Sequence, residues 1–253
     1  MHRFFVNTNQ IIELEEKIII TDKEDVNHLV KALRVKLGEE IEISDKESYE
    51  YIGQVVEMDR TQVVCKILNK TPCERESNLN ITLFQGIPKS GKMDLIVQKS
   101  VELGVSRIVP LKTKRVVSVF KDKKSEEKKL DRWQKISDEA AKQSKRGRLP
   151  VVDSAITIQE ICKIIGQYDL LLVAYEKASE LGLKSELRRL KGSALKIGIL
   201  VGPEGGLTEE EVDQMVEAGA VSITLGKRIL RTETAGLTCL SVVQYELGDL
   251  SPS

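Results

Sequence analysis

The sequence is poor in the residues that build metal centres. It contains two histidines and four cysteines among 253 residues. The cysteines lack the C-x-x-C spacing typical of zinc sites, and neither histidine lies close to a cysteine in the sequence. We therefore predict a reduced protein without a metal site.

Long apolar stretches and an excess of one charge are also missing. No segment approaches the roughly 18 uninterrupted apolar residues of a membrane helix, and the N-terminus lacks the apolar core of a signal peptide. The 39 basic residues balance the 39 acidic ones, so the net charge indicates no particular partner. These absences favour a cytoplasmic protein with no membrane partner. The hydrophobic content of 41% is nevertheless ordinary for a globular chain, and the length accommodates two domains.

The charge is balanced overall but not locally. Residues 107–148 contain 15 Lys or Arg against 6 Asp or Glu. Such a surplus can contact RNA phosphates, which gives affinity and positioning but little sequence choice. Part of it is expected to be a solvated helix surface, because residues 126–129 read Glu-Glu-Lys-Lys. The cluster at residues 142–148 is less balanced, and we expect it to contact RNA.

The first seventy residues predict a small β-barrel. Short runs with β-branched residues, separated by charged or glycine-containing turns, occur at residues 17–20, 40–44, 51–58 and 62–68. One helix is predicted over residues 23–35. Polar sequence at residues 69–78 then marks a change of pattern. We place one domain at residues 1–73, a second at residues 74–247 and a tail at residues 248–253.

The second part of the chain alternates predicted strands and helices. Apolar strands are predicted at residues 79–85, 107–111, 168–174, 196–201 and 221–225. Helices are predicted at residues 92–103, 128–145 and 234–247. Apolar strands that alternate with helices are typical of a parallel sheet covered on both faces. The predicted fold class is therefore α/β, with a mostly parallel sheet that follows an N-terminal β-barrel.

A glycine-rich turn follows the predicted strand at residues 196–201. Its sequence from residue 196 is KIGILVGPEGGLTEEEV, and Thr208 and Glu211 have the spacing of a capping box for the next helix. Glycines at the carboxyl end of a parallel strand let the backbone approach a ligand closely. Four glutamates near this turn disfavour a phosphate ligand. The alternative is a tight strand-to-helix turn in which the glycines only supply positive φ.

A second loop precedes the last predicted helix. It reads LGKRILRTETAGLTC from residue 225 and places Ile229 and Leu230 beside charged residues. Apolar side chains with free backbone amides suit an adenine ring, while Arg231 and Glu233 provide a cation and a carboxylate. The alternative is a surface loop and an ordinary helix start with Thr232 or Thr234 as the cap.

Residues 86–93, GIPKSGKM, come within one residue of the phosphate-binding pattern G-x-x-x-x-G-K-[ST]. Met93 stands where a hydroxyl would hold magnesium, and Pro88 removes one amide donor from the loop. The alternative is a plain strand-to-helix turn that leaves Lys89 and Lys92 to contact RNA phosphate.

Taken together, these motifs resemble a known family. GPEGG from Gly202 and LGKRILRTETA from Leu225 resemble the C-terminal signature of the SPOUT-class ribosomal RNA small subunit methyltransferase E family, which methylates N3 of a uridine in 16S ribosomal RNA. Further segments agree in order along the chain, namely HRFF from His2, HLV with LR from His28, QK with ELG from Gln98, and AKQSKR from Ala141. The resemblance runs to about Leu247.

The resemblance implies a PUA-like RNA-binding β-barrel followed by a methyltransferase domain with a trefoil knot. It implies a homodimer in which the second subunit completes the site, and a substrate that is 16S ribosomal RNA or the assembling 30S particle. S-adenosylmethionine would lie among the loops after Ala174, Gly202 and Leu225. The implied cofactor-binding residues are Ala174, Tyr175, Val201, Gly202, Pro203, Glu204, Gly205, Gly206, Leu225, Gly226, Ile229, Leu230, Arg231, Thr232, Thr234 and Ala235.

Roles for individual residues follow from the chemistry of this reaction. A uridine N3 carries a proton at neutral pH, so we expect Arg231 to stabilise charge on the uracil carbonyls and Glu233 to accept the proton, with Glu204 as the alternative acceptor. The candidate RNA-binding residues are Arg3, Arg34, Lys89, Lys92, Lys114, Arg115, Lys142, Lys145, Arg146 and Arg148. Two other functions stay open, a non-catalytic RNA-binding or ribosome assembly factor and a P-loop-like nucleotide-binding protein.

Overall fold

The computed structural model describes residues 2–89, 91–115, 120, 122–178, 182–190 and 195–250. The chain divides into two compact units. The first comprises Met1–Glu76 and Ala141–Leu149, and the second comprises Ser77–Ala140 and Pro150–Ser253. The first division lies close to the predicted boundary at residue 73, whereas the sequence did not predict that residues 141–149 belong to the first unit. Of the predicted tail, residues 251–253 lie outside the described residues.

The first unit contains one six-stranded sheet. Its strands are β1 (Arg3–Phe5), β2 (Ile11–Ile12), β3 (Lys17–Ile20), β4 (Glu40–Ser44), β5 (Tyr49–Met58) and β6 (Val63–Pro72). Their order is β1-β4-β5-β6-β3-β2, with β1 parallel to β4 and the other pairs antiparallel. Two register shifts between β5 and β6 are irregularities of the kind that bends a sheet. Within the described residues β1 and β2 do not pair with each other, so the sheet is curled but lacks the closure expected of a barrel.

Helical residues and alternating side chains complete this unit. Helix α1 (Lys23–Asn27) begins at Asp22, whose carboxylate accepts hydrogen bonds from the N–H groups of Glu24 and Asp25. A π-helical segment (His28–Leu33) continues it, so the helix predicted at residues 23–35 changes type halfway. The core takes alternate residues of the strands, including Ile18 and Ile20 of β3.

The second unit contains a seven-stranded parallel sheet. Its strands are β7 (Asn80–Gly86), β8 (Arg107–Lys112), β9 (Val151–Val152), β10 (Ile156–Thr157), β11 (Leu170–Ala174), β12 (Lys196–Val201) and β13 (Val221–Ile223). The order is β10-β8-β7-β12-β11-β13, and β9 also pairs with β8. Every pair is parallel, which confirms the predicted α/β class.

Helices cover both faces of this sheet. They are α2 (Lys92–Glu102), α3 (Lys123–Gln143), α4 (Ile158–Ile164), α5 (Leu183–Arg189), α6 (Glu209–Glu217) and α7 (Thr232–Leu247). Leu200 of β12 packs in a cluster with Val212 of α6 and Ile161 of α4. The opposite face of β12 contacts α7, which also packs against α2 and α5. None of the helices in the described ranges is both long enough and apolar enough to span a lipid bilayer.

Candidate active site

Three neighbouring strands of the second unit deliver their following loops to one place. β12, β11 and β13 are adjacent and parallel, so their carboxyl ends lie at the same edge of the sheet. The loops that follow them enclose a cavity of about 420 Å³. Cavities at this edge of an α/β sheet are the usual ligand sites of such folds. The lining residues are Lys92, Ala174, Tyr175, Glu176, the run from Val201 to Leu207, the run from Thr224 to Thr232, and Ala235.

The loop after β12 turns tightly on its glycines. The N–H of Gly206 donates to the carbonyl of Pro203 at 2.9 Å, and Gly206 has a φ of +68°. A Cβ at Gly202 would lie 3.1 Å from the carbonyl carbon of Gly206. The glycines therefore serve the turn and also leave the backbone exposed to the cavity, so the two interpretations of this motif are compatible.

The helix after this loop begins with the predicted capping box. The Thr208 hydroxyl accepts from the Glu211 N–H at 3.2 Å, and the Glu211 carboxylate accepts from the Thr208 N–H at 2.8 Å. The same carboxylate also accepts a hydrogen bond from the Lys114 N–H at 2.7 Å, and Glu211 itself is buried. Hydrogen bonds to Thr208 and to Lys114 thus fix the start of α6 relative to the cavity.

The loop after β13 ends at a buried threonine. The Thr232 hydroxyl donates to the carbonyl oxygen of Gly202 at 2.6 Å and accepts from Nε2 of Gln85 at 2.8 Å. Thr232 therefore joins the start of α7 to β7 and to the end of β12. The N-cap of α7 is Arg231, which makes no side-chain capping bond, so the alternative that Thr232 or Thr234 caps this helix is wrong.

A lysine on the cavity wall lies between two carboxylates. Lys92 Nζ is 3.1 Å from Oε1 of Glu204 and 3.5 Å from Oε2 of Glu233. The Lys89 N–H also donates to both oxygens of Glu204 at 3.1 Å. Burial alone would raise the pKa of Glu204, but hydrogen bonds from its own N–H, from Lys92 and from the Lys89 N–H hold it below its ordinary value. The hydrogen bond to Glu204 raises the pKa of Lys92, and the charge of Glu233 adds to that rise.

Comparison with known proteins identifies the family. A family profile described as RNA methyltransferase domain matches residues 75–244, and one described as RNA methyltransferase PUA domain matches residues 20–68. The ribosomal RNA small subunit methyltransferase E of Bacillus subtilis is 36% identical over 97% of each chain. This chain belongs to the ribosomal RNA small subunit methyltransferase E family.

Two solved structures resemble the chain over almost its whole length. A methyltransferase E of this family from Neisseria gonorrhoeae, bound to S-adenosyl methionine, has a TM-score of 0.84 and 34% identity and covers 99% of this chain and 100% of its own. A putative methyltransferase from Legionella pneumophila, in complex with the same cofactor, has a TM-score of 0.84 and 29% identity, with 98% of both chains covered.

The resemblance to the methyltransferase E family assigned sixteen residues to the cofactor, and the structure brings most of them together. All of them except Thr234 lie on the cavity wall. Of the residues assigned to catalysis, Arg231 and Glu204 line the cavity, whereas Glu233 does not but forms an ion pair with the lining residue Lys92. The sequence did not indicate Lys92, Glu176 or Thr224 as parts of this wall, since each lies outside the two family motifs or between them.

Five of the predicted RNA contacts have partners inside the first unit. The pairs are Arg3 with Glu50 (2.6 Å), Lys142 with Asp25 (2.6 Å), Lys145 with Glu42 (3.0 Å), Arg146 with Glu76 (2.7 Å) and Arg148 with the Glu47 carbonyl (3.1 Å). The side chains of Arg3 and Arg146 are only 2% and 8% exposed. These cations stabilise the packing of residues 141–149, and their partners are too distant in sequence for a local charge count to reveal them.

The other predicted RNA contacts differ in their surroundings. Arg34 is exposed at the end of the π-helical segment, with a φ of +51°. Lys114 pairs with Glu210, and Nη1 of Arg115 donates to the Gly205 carbonyl at 2.9 Å. Arg115 thereby contacts the glycine-rich loop of the cavity.

Proposed function

We propose that this chain transfers a methyl group from S-adenosylmethionine to N3 of a uridine in small-subunit ribosomal RNA. The observation that carries the proposal is the cavity formed by three loops at the carboxyl edge of β11, β12 and β13. Relatives whose names state ribosomal RNA methylation, and two similar structures that hold the cofactor, support it. The reaction would take place in the cytoplasm, where a bacterium assembles its ribosomes.

The residues of the cavity fit this cofactor. The volume of about 420 Å³ falls within the usual range of ligand sites. The wall carries both carboxylates, Glu176 and Glu204, and cations such as Arg231, which suits a zwitterionic ligand with a sulfonium centre. The backbone of Gly202–Gly206 offers amides and carbonyls without side chains in front of them. When bound, S-adenosylmethionine would supply an electrophilic methyl group, which needs a nucleophile held in line with it.

The charged residues of the site would activate the uridine. Arg231, exposed on the cavity wall, would stabilise the negative charge that develops on the uracil carbonyls. The N3 proton would pass to one of two carboxylates. Glu204 lines the cavity but already accepts three hydrogen bonds, whereas the buried Oε2 of Glu233 has, among the described residues, only the ion pair with Lys92. This difference favours Glu233 as the acceptor.

Single-turnover rates distinguish the two acceptors. In Glu233→Gln the rate should fall and lose its dependence on deprotonation of an acidic group, because the acceptor is gone. In Glu204→Gln the pH profile should keep its shape. The reverse result would assign the role to Glu204.

The proposal includes a trefoil knot and a homodimer. From β13 at the edge of the sheet the chain returns to Thr232, which is hydrogen-bonded to β7 and to the end of β12. This return path supports a threaded C-terminal segment. Leu95 of α2 and Tyr245 of α7 are 45% and 60% exposed on helices that pack together, which supports a second subunit there. Sedimentation equilibrium tests the dimer, and a crystallographic chain trace tests the knot.

Labelled S-adenosylmethionine tests the activity directly. The protein is incubated with naked small-subunit RNA and with assembled particles, and the labelled base is mapped by nuclease digestion and mass spectrometry. We expect 3-methyluridine at a single position. Binding of RNA and cofactor without transfer would indicate a non-catalytic assembly factor instead. Binding of ATP in place of S-adenosylmethionine would indicate a nucleotide-binding protein.

A further inference from the structure

The segment that resembles a phosphate-binding loop contacts a carboxylate of this same chain. β7 ends at Gly86 and α2 begins at Lys92, so a strand precedes this segment and a helix follows it. The Lys89 N–H and the Lys92 ammonium, however, both bond to Glu204. A Cβ at Gly86 would lie 2.4 Å from the Pro203 nitrogen, so the two loops are in direct backbone contact. The side chain of Glu204 thus takes the place that a phosphate would need.

Lys92 also connects this loop to a third element. Its two carboxylates come from the loop after β12 and from the first turn of α7. Among the described residues, Glu204 and Glu233 are the charged groups that pair with Lys92, while Asp94 of α2 itself pairs with Arg132 of α3. The ammonium of Lys92 is thus shared between two carboxylates of this chain, and its charge is offset within the site. Such a group does not attract RNA phosphate.

We propose that Lys92 is a positioning residue for methyl transfer, which keeps Glu204 and Glu233 together and fixes the loop after β12 against the start of α7. This inference rests on the proposed function. It replaces the expectation that Lys92 contacts RNA phosphate. Without the ammonium, two carboxylates would face each other, and one of them would bind a proton or move away. Either change would displace the cavity wall beside Arg231.

The effect on pH dependence has a definite direction. The Lys92 hydrogen bond and charge help to hold the pKa of Glu204 below its ordinary value, so their removal raises that pKa. Protonation of Glu204 would release the loop after β12, so the rate of Lys92→Met should begin to fall at a higher pH than that of the wild type, although Glu233 remains the proton acceptor. A residue that only stabilises the fold would lower the rate equally at all pH values.

The experiment compares Lys92→Met, Lys92→Arg and the control Lys99→Met, an exposed lysine on the same helix that pairs with Glu102. Single-turnover rates are measured between about pH 5 and pH 9. Cofactor affinity is measured by calorimetry, and RNA affinity as a function of salt. We expect Lys92→Met to lose about 100-fold in rate, to bind the cofactor more weakly and to shift its acidic limb upward. Lys92→Arg should restore most of the rate.

RNA binding separates this inference from a phosphate contact. The slope of RNA affinity against salt should be the same in Lys92→Met as in the wild type. A flatter slope with unchanged single-turnover rates at saturating RNA would overturn the proposal, and so would a wild-type pH profile. If Lys92→Met folds poorly, Lys92→Met with Glu233→Gln removes the repulsion and should recover cofactor affinity, whereas no recovery would contradict the proposal. A wild-type protein without any methyl transfer would instead refute the proposed function.

Discussion

The hydroxyl of Thr232 donates a 2.6 Å hydrogen bond to the carbonyl oxygen of Gly202. This bond joins the first residue of α7 to the turn after β12, two elements that the sequence separates by a helix, a strand and a loop. Gln85 of β7 donates to the same hydroxyl, and its side chain is fully buried. The cavity wall is therefore held by polar bonds in a dry environment, where each bond depends on the presence of its partner.

Replacement of Thr232 by valine should weaken the site. The substitution keeps the shape of the side chain but removes the hydroxyl donor from the Gly202 carbonyl and one of the two acceptors of the Gln85 amide, which costs about 1–3 kcal/mol in free energy of unfolding. Cofactor affinity should fall as well, because the Gly202 turn lines the cavity. Urea unfolding and calorimetry measure both effects. Thr234→Val is the matched control, since Thr234 is exposed on the same helix turn and lies outside the cavity wall. Equal behaviour of the two variants would disprove the role of this bond.

Removal of the Arg231 side chain should change cofactor affinity little and lower the rate of methyl transfer strongly. Arg231 is exposed on the wall, and its backbone carbonyl, which the substitution retains, accepts the hydrogen bond from Ala235 at 2.8 Å. We expect Arg231→Ala to bind S-adenosylmethionine with an affinity close to that of the wild type and to lose about 100-fold in single-turnover rate. A rate equal to that of the wild type at saturating RNA and cofactor would show that Arg231 does not stabilise the transition state.

Segments with a clear apolar pattern were predictable from the sequence, whereas very short strands and the charged start of a helix were not. β3 and β4 have the predicted bounds because isoleucines fill them, three in succession in β3 and alternating with glutamate in β4. β1 and β2 have three and two residues, too few for alternation to show. The helix predicted at residues 128–145 begins at Lys123 in the structure. Its first turns are charged and lack apolar spacing, so the sequence did not reveal this start.

The candidate site also has parts that the sequence predicted and parts that it did not. Its glycine-rich turns were recognisable because each is one continuous motif beside an apolar strand. The cluster of Lys92, Glu204 and Glu233 was not, because its members come from three separate segments that only the parallel sheet brings together. The internal ion pairs of the basic residues at 142–148 were not predictable for the same reason, since Asp25, Glu42 and Glu76 lie far away in sequence.

The buried pair of Arg146 and Glu76 should make the first unit sensitive to acid. Burial by itself raises the pKa of Glu76, but hydrogen bonds from Arg146 and from the N–H groups of Gly147 and Arg148, with the Arg146 charge, bring it below its ordinary value of 4.5. A carboxyl whose pKa is lower in the folded state stabilises the fold above its ordinary pKa. That contribution is lost as the pH falls from there through the lower folded value.

Glu76→Gln tests this pair. At pH 7 it should lower the free energy of unfolding by about 3 kcal/mol, because it leaves the Arg146 charge buried with a neutral partner. As the pH falls from 4.5 through the lower folded-state pKa of Glu76, the difference from the wild type should shrink, since the wild-type carboxylate becomes protonated too. Urea titrations at pH 7 and at several values below pH 4.5 provide the measurement. Glu15→Gln is the control, because Glu15 forms an exposed pair with Lys17 and should change stability by less than about 0.5 kcal/mol. A constant difference at all pH values would contradict the assignment.

RNA phosphate contacts should come from the rim of the cavity. Lys227 and Arg228 are exposed in the loop after β13, and in the described part of the chain neither forms an ion pair. Their charges are therefore available to a strand of RNA that presents an unpaired base to the cavity. Each phosphate contact on single-stranded RNA contributes about 0.7 to the slope of log affinity against log salt. Replacement of both residues by alanine should flatten that slope by about 1.4 units.

The matched control for this experiment is Lys145→Ala. Lys145 carries the same charge but pairs with Glu42 at 3.0 Å, so its loss should leave the salt slope almost unchanged. Fluorescence anisotropy with a labelled single-stranded RNA at several salt concentrations gives the slopes. If Lys145→Ala flattened the slope and the double variant did not, RNA would bind along residues 142–148 after all. The ion pairs of that segment would then have to open on binding, because a cation cannot keep its internal carboxylate and neutralise a phosphate at the same time.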